Sequence, residues 1–258
     1  MVKYMYTLEG EVVIMTNFEK GNMSSVKKSG NNIHRTKPFN YVTQRKFFEY
    51  LEDYNLNIPK YIGETTNEII LSYVDGDCIH EEIHRISEIN KKEMIISSAK
   101  YLAEYHKATE NFPLSDDDKF YLEYNGNLTC DVICHNDFAP YNITFNNYEA
   151  IGLIDFDTIC PGPREWDIAY ALYRFVFIDQ LPKNGYDYSM NLFLNAYGYK
   201  KTVNFIPIII ERLEALINLI SFEVSNNNKI FIEMEKKGHK QFYIEEIQRI
   251  KNYSSKNS

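Results

Sequence analysis

No stretch of this 258-residue chain approaches the roughly 20 consecutive apolar residues of a membrane-crossing helix. Its amino terminus, Met-Val-Lys-Tyr-Met-Tyr-Thr, has neither the apolar core nor the cleavage site of a secretory signal. Cysteine is scarce, and Cys78, Cys130, Cys134 and Cys160 form no Cys-x-x-Cys pair. A reduced, cytoplasmic protein with no membrane partner is therefore expected. Positive charge is also short. With 28 Lys and Arg against 36 Asp and Glu, the formal net charge is -8, and a general nucleic-acid binder would need a basic face. There is no Gly-x-Ser-x-Gly elbow for a hydrolase and no Walker signature for a P-loop enzyme. Internal repeats and low-complexity linkers are missing too. The length allows one large domain or two lobes with ample core.

What the chain does have is concentrated between residues 135 and 157: His-Asn-Asp-Phe-Ala-Pro-Tyr-Asn, then Ile-Asp-Phe-Asp. Val132-Ile133-Cys134 reads as a buried strand running into His135. Ile143-Thr144-Phe145 and Ile151 to Ile154 read as two more strands, turning at Asn146-Asn147. A hairpin of this kind sets Asn142 beside Asp155, with Asp137 facing them. Two oxygen-bearing side chains at a hairpin mouth suit Mg2+, which fills its remaining positions with water and substrate phosphates. A third carboxylate can accept the proton of an attacking hydroxyl. Phosphoryl transfer needs little more, because its catalysis is mostly positioning and charge neutralisation.

This order and spacing resembles the aminoglycoside phosphotransferase and choline kinase-like family. The resemblance rests on His-x-Asp, Asn five residues after the Asp, Ile-Asp-Phe-Asp, and Pro-Arg-Glu-Trp-Asp-Ile-Ala-Tyr at 163–170. It implies an α+β, bilobal protein-kinase-like fold, with a small antiparallel-sheet N-lobe (1–74) and a larger, mainly helical C-lobe (75–258). It also implies Asp137 as catalytic base, His135 as a brace for its loop, and Asn142 and Asp155 as Mg2+ ligands. Asp167 would be a buried acceptor for loop amides. Asp157 is open: it could hold substrate, reach the metal through water, or cap the next turn.

The first 37 residues read as strands, with runs at 11–16, 24–28 and 32–37 and a hairpin turn at Ser29-Gly30-Asn31-Asn32. By resemblance, the turn at Gly21-Asn22 covers the nucleotide phosphates, and a strand cation holds them. Arg35 aligns there in place of the usual Lys, and Lys37 shares its strand face. A helix from Tyr41 to Tyr54 carries Gln44 where the family offers a Glu to that cation. Ser72, Tyr73 and Val74, followed by Asp75-Gly76, look like the hinge that meets the nucleobase.

Beyond the hinge, a helix is expected over 90–111 with Asn90 as N-cap and His106 as a packing residue. His80 and His84, four apart, read as a solvated face and not a metal pair. Helices are expected at Arg164–Gln180, Tyr188–Tyr199 and Asn204–Val224, then helical spacing over 229–252 with a frayed end at 253–258. The function expected is Mg2+-dependent transfer of the terminal phosphoryl group of ATP or GTP to a hydroxyl of a small molecule, an aminoglycoside being one candidate. Choline, another amino alcohol or a sugar are alternative acceptors. A nucleotide-binding pseudoenzyme or regulatory module is the rival reading. The protein is expected to be a monomer or weak dimer.

Overall fold

The computed structural model describes residues 3–8, 11–16, 26–79, 83–178 and 182–257. Gly21, Asn22, the start of the expected 24–28 strand, and His80 lie outside them. Short β-prone runs broken by turn residues make the first part a sheet. β1 (Lys3–Leu8) and β2 (Glu11–Thr16) form one antiparallel pair. β3 (Val26–Ser29), β4 (Asn32–Thr36), β5 (Tyr61–Glu64) and β6 (Glu68–Ser72) form an antiparallel sheet in the order β3-β4-β6-β5. Gly30 turns β3 into β4 at φ 59°, a conformation glycine adopts without steric cost. α1 (Tyr41–Leu51) buries Gln44, Phe47, Phe48 and Leu51. It stops short of the expected Tyr54, because Glu52 and Tyr54 donate back to Glu49 and Leu51 in tighter turns.

The second part is mainly helical. α2 (Glu88–Thr109) is its central helix, and it buries Met94, Ala99, Leu102 and Tyr105 almost completely. Its cap is Ser87, not Asn90. Ser87 is extended, and its side chain accepts the Asn90 N–H, as an N-cap serine should. β7 (Val132–Cys134) pairs with β10 (Cys160–Gly162), a strand that Cys-Pro-Gly-Pro disguises as a turn. A two-stranded pair exposes the edge on which proline is tolerated. β8 (Ile143–Asn146) and β9 (Glu149–Leu153) form the expected hairpin. It turns at Asn147 and Tyr148, both at positive φ, so β9 starts earlier than Ile151.

The expected helix from Arg164 to Gln180 is not uniform. α3 (Arg164–Leu172) passes into a π turn at Tyr173–Phe177, closed by Ile178 N–H donating to the Tyr173 carbonyl at 3.0 Å. α4 (Tyr186–Tyr197) ends on Gly198 at φ 80°. α5 (Phe205–Ser225) is capped by Asn204. The helical spacing over 229–252 resolves into two helices, α6 (Lys229–Lys236) and α7 (His239–Asn257), broken at Gly238 with φ 82°. α7 continues through the stretch expected to fray. No helix among the described residues is long and apolar enough to cross a membrane.

The two parts share a core. Phe156 is 1% exposed and packs edge-on against Phe48 of α1 and His135, with Phe47 and Tyr105 of α2 also in ring contact. Gly76, at φ 115°, sits where the chain passes from sheet to helical part. A Cβ there would meet Thr144 Cβ at 2.8 Å and the Phe145 carbonyl at 3.1 Å. The next residue, Asp77, exchanges main-chain hydrogen bonds with Phe145 at 3.0 Å.

Candidate active site

β7 delivers His135 into the core, where it is fully buried. Its Nε2 lies 3.0 Å from the Ile154 carbonyl, and its Nδ1 accepts the Asp137 N–H at 3.3 Å. One ring nitrogen donating and the other accepting requires a neutral imidazole. Burial favours the same state by lowering its pKa. His135 thus ties the loop to the end of the hairpin. Asn136 follows at φ 64°, a left-handed conformation that Asn tolerates better than most residues. The N–H groups of His135 and Asn136 donate to the two oxygens of Asp167 at 2.7 and 2.8 Å. Asp167 is where the sequence reading places it.

A partner that the sequence reading missed completes this anchor. His106 Nε2 lies 3.1 Å from Asp167, and its Nδ1 lies 2.7 Å from the Tyr197 hydroxyl. Burial alone would raise the Asp167 carboxyl. The His106 hydrogen bond and charge, and the loop amide, overcome it and hold the group below the usual carboxylate range. His106 shares the apolar face of α2, so its spacing announces only packing.

Asp137, half-buried, is gripped from both sides. Tyr141 donates its hydroxyl to Oδ1 at 2.6 Å, and the Asn142 amide donates to Oδ2 at 2.8 Å and to the Asp137 carbonyl at 2.9 Å. With its nitrogen committed, Asn142 has its carbonyl oxygen left for a cation. The Asn142 carbonyl of the main chain accepts the Ile154 N–H at 2.8 Å, which closes the hairpin one residue before Asp155. Asp155 stands at φ 64°, and its Oδ1 is buried without a hydrogen-bond partner. Strained backbone of this kind concentrates at functional sites. Burial, and then the Asp157 charge, push the Asp155 carboxyl up from its ordinary value. An unpartnered carboxylate oxygen beside an amide oxygen fits a hard divalent cation that keeps water and phosphate ligands. Among the described residues, no cluster of three His, Cys, Asp or Glu side chains offers a closed metal cage.

The donor side differs from expectation. Arg35, 7% exposed, forms an ion pair with Asp157, and its Nη1 lies 4.0 Å from Asp155 Oδ1. Gln44 donates to the other Asp157 oxygen at 2.9 Å, and Asn40 donates to the Asp157 carbonyl at 3.2 Å. So Asp157 faces the strand cation. It supplies, from 122 residues beyond Arg35, the carboxylate that α1 lacks. Lys37 falls just beyond β4 and pairs with Glu64 at 3.4 Å, away from this cluster. At the hinge, the Ser72 and Tyr73 amides are already bonded to the carbonyls of Lys60 and Asn31. Val74 is buried, and its main-chain groups make no hydrogen bond among the described residues.

On the other flank of Asp137 lies an aromatic cluster with two arginines. The Tyr141 and Tyr170 hydroxyls are 3.2 Å apart. The Arg174 guanidinium stands over the Tyr141 ring at 4.8 Å, and Arg212 over Tyr170 at 4.9 Å. Arg212 also donates to the Asn136 carbonyl at 2.7 Å.

Comparison with known proteins agrees with this geometry. Residues 130–188 match the sequence model of the phosphotransferase enzyme family. No curated protein sequence matches the chain. Solved structures do. The GDP complex of aminoglycoside 2'-phosphotransferase-IIIa is 15% identical with a TM-score of 0.56, covering 93% of this chain and 91% of that one. The amicoumacin kinase hAmiN, in complex with AMP-PNP, Ca2+ and Ami, is 12% identical with a TM-score of 0.59, covering 91% and 88%. Aminoglycoside phosphotransferase APH(3'')-Id from Streptomyces rimosus, with ADP and streptomycin, is 13% identical with a TM-score of 0.54, covering 74% and 89%. The chain therefore has the fold of the kinase-like phosphotransferases, and it carries their family segment where the loop and hairpin meet.

Proposed function

We infer that this protein transfers the terminal phosphoryl group of ATP or GTP to a hydroxyl of a small molecule. The acceptor oxygen forms a bond to the γ-phosphorus, the bond from that phosphorus to the β-bridging oxygen breaks, and the hydroxyl proton passes to Asp137. Tyr141 and Asn142 hold the Asp137 carboxylate in place, and the neutral His135 fixes the loop behind it. Asn142 and Asp155 would hold Mg2+, which neutralises phosphate charge when bound. Arg35 would hold the donor phosphates, with Asp157 and Gln44 orienting its guanidinium. The donor is assigned to the part of the chain up to residue 74 and the chemistry to residues 75–258, with Val74 offering main-chain groups to the nucleobase.

The observation that carries this reading is Asp137, held at both oxygens, together with an Asp155 oxygen that has no hydrogen-bond partner. Complexes of structural neighbours with nucleotide and with antibiotics support a nucleotide donor and a small-molecule acceptor. The test is nucleotide consumption with a panel of hydroxylated acceptors. Asp137→Ala should lower turnover by about a thousandfold, the scale of a lost general base, with nucleotide affinity near normal. Continued phosphorylation by that variant would remove Asp137 from the mechanism. The second reading, a nucleotide-binding module without turnover, draws on the engagement of Arg35 by Asp157 and on Gln44. It predicts Mg-nucleotide binding with no acceptor consumed.

A further inference from the structure

Arg174 is a half-buried cation that, among the described residues, meets aromatic rings and no carboxylate. Its Nε is buried without a hydrogen-bond partner. Among the described residues, no carboxylate comes within ion-pair distance of it. Its nearest described company is aromatic: the Tyr141 ring at 4.8 Å and the Tyr173 ring at 5.9 Å. A guanidinium offers five N–H donors in a fixed fork and stays charged at any working pH. A buried donor of this kind without an acceptor calls for an explanation.

Its position supplies one. Tyr141, beneath Arg174, donates to Asp137 Oδ1. Arg35 stands on the opposite flank, beside Asp155 and Asp157. Arg174 therefore faces the acceptor side of Asp137, not the donor side. The backbone gives a second, independent sign. Arg174 lies in the π turn at Tyr173–Phe177, and such turns recur at functional sites, where they displace side chains from the regular helical path. Arg212 adds a second positive charge nearby without a carboxylate of its own, stacked on Tyr170 and donating to the Asn136 carbonyl. Among these residues Asp137 is the one negative charge. A polycation entering here would press ammonium groups against Arg174, with the buried Arg212 charge behind it, whereas an anion would meet an unused fork.

We propose that Arg174 anchors an anionic group of the acceptor, so that the molecule phosphorylated is an alcohol bearing a carboxylate or phosphate, and not a polyamine. This rests on Asp137 being the base, and the test separates the two ideas. Two matched sets differing in charge serve as probes: glucuronate, glucose and glucosamine, and glycerate, glycerol and 2-amino-1,3-propanediol. Binding is read as the shift of the thermal transition with Mg-AMP-PNP present, and turnover as ATP consumption. The anion should bind best in at least one set, by tenfold or more over its amine. Arg174→Gln should erase that preference and leave nucleotide affinity unchanged, and Arg174→Lys should keep part of it. Asp137→Ala should retain the binding order while turnover is lost. If order and turnover both survive in Asp137→Ala, the base assignment fails and the anchor stands. Equal or stronger binding of the amines overturns the proposal. So does no response to any probe, a preference that survives Arg174→Gln, or an effect of that variant on nucleotide alone.

Discussion

The two flanks of Asp155 are built differently. On the side of Asp137, each group read from the spacing lies within reach of its neighbours: His135 in the loop, Asn142 on the carboxylate, Asp167 beneath two amides. On the side of the sheet, the cation is Arg instead of Lys and the helix offers Gln44 instead of a carboxylate. There Asp157 does the pairing, across 122 residues. The contrast teaches that neighbours along a hairpin are brought together by local geometry, while the pairing of Arg35 depends on packing between distant segments. A phosphate grip needs only a fixed positive charge, and the carboxylate that fixes it can come from elsewhere in the chain.

This comparison can be broken most sharply at Asp157. Asp157→Ala leaves the Arg35 charge without that carboxylate, and should cost about 3 kcal/mol of stability in a urea titration, the scale of a severed buried pair. Adding Gln44→Glu should recover a good part of the loss and of nucleotide affinity. A double variant no better than the single one would mean the carboxylate cannot be relocated. A smaller effect is expected at the other anchor. Asp167→Asn should cost about 2 kcal/mol, since the loop amides keep an oxygen acceptor but lose its charge. Because the folded Asp167 titrates below its unfolded value, its contribution is fully present above about pH 4. It is lost as pH falls through the folded value. Wild type and variant should converge on acidification, and a gap unchanged down to pH 3 would contradict the assignment. The smallest effect belongs to Lys37→Ala. Its pair with Glu64 is worth less than about 1 kcal/mol, and nucleotide affinity should not change.

The segment from His135 to Asp155 was legible because its groups lie close along the chain and hairpin geometry carries them together. The antiparallel sheet and most of the helices followed from period and turn residues. Three features did not. His106 meets Asp167 only through the packing of α2 on the loop, so its helical spacing marks it as core and nothing more. The pairing of Arg35 with Asp157 depends on how α1 docks against Phe156. The π turn at Tyr173–Phe177 has no local signal, since its residues would suit an ordinary helix. The break at Gly238 is another matter: a glycine after Lys236-Lys237 is a helix stop signal that was there to be used.

Gly76 has a consequence for how the two parts can move. The passage between them is sewn to β8, the strand that starts immediately after Asn142, with no room for even a methyl group at the seam. A rocking motion between sheet and helices cannot be absorbed by slack there. It must tug on the very ribbon that follows the Asn142 amide, so in the proposed reaction grasping the donor and setting the cation would be geared to a single stroke.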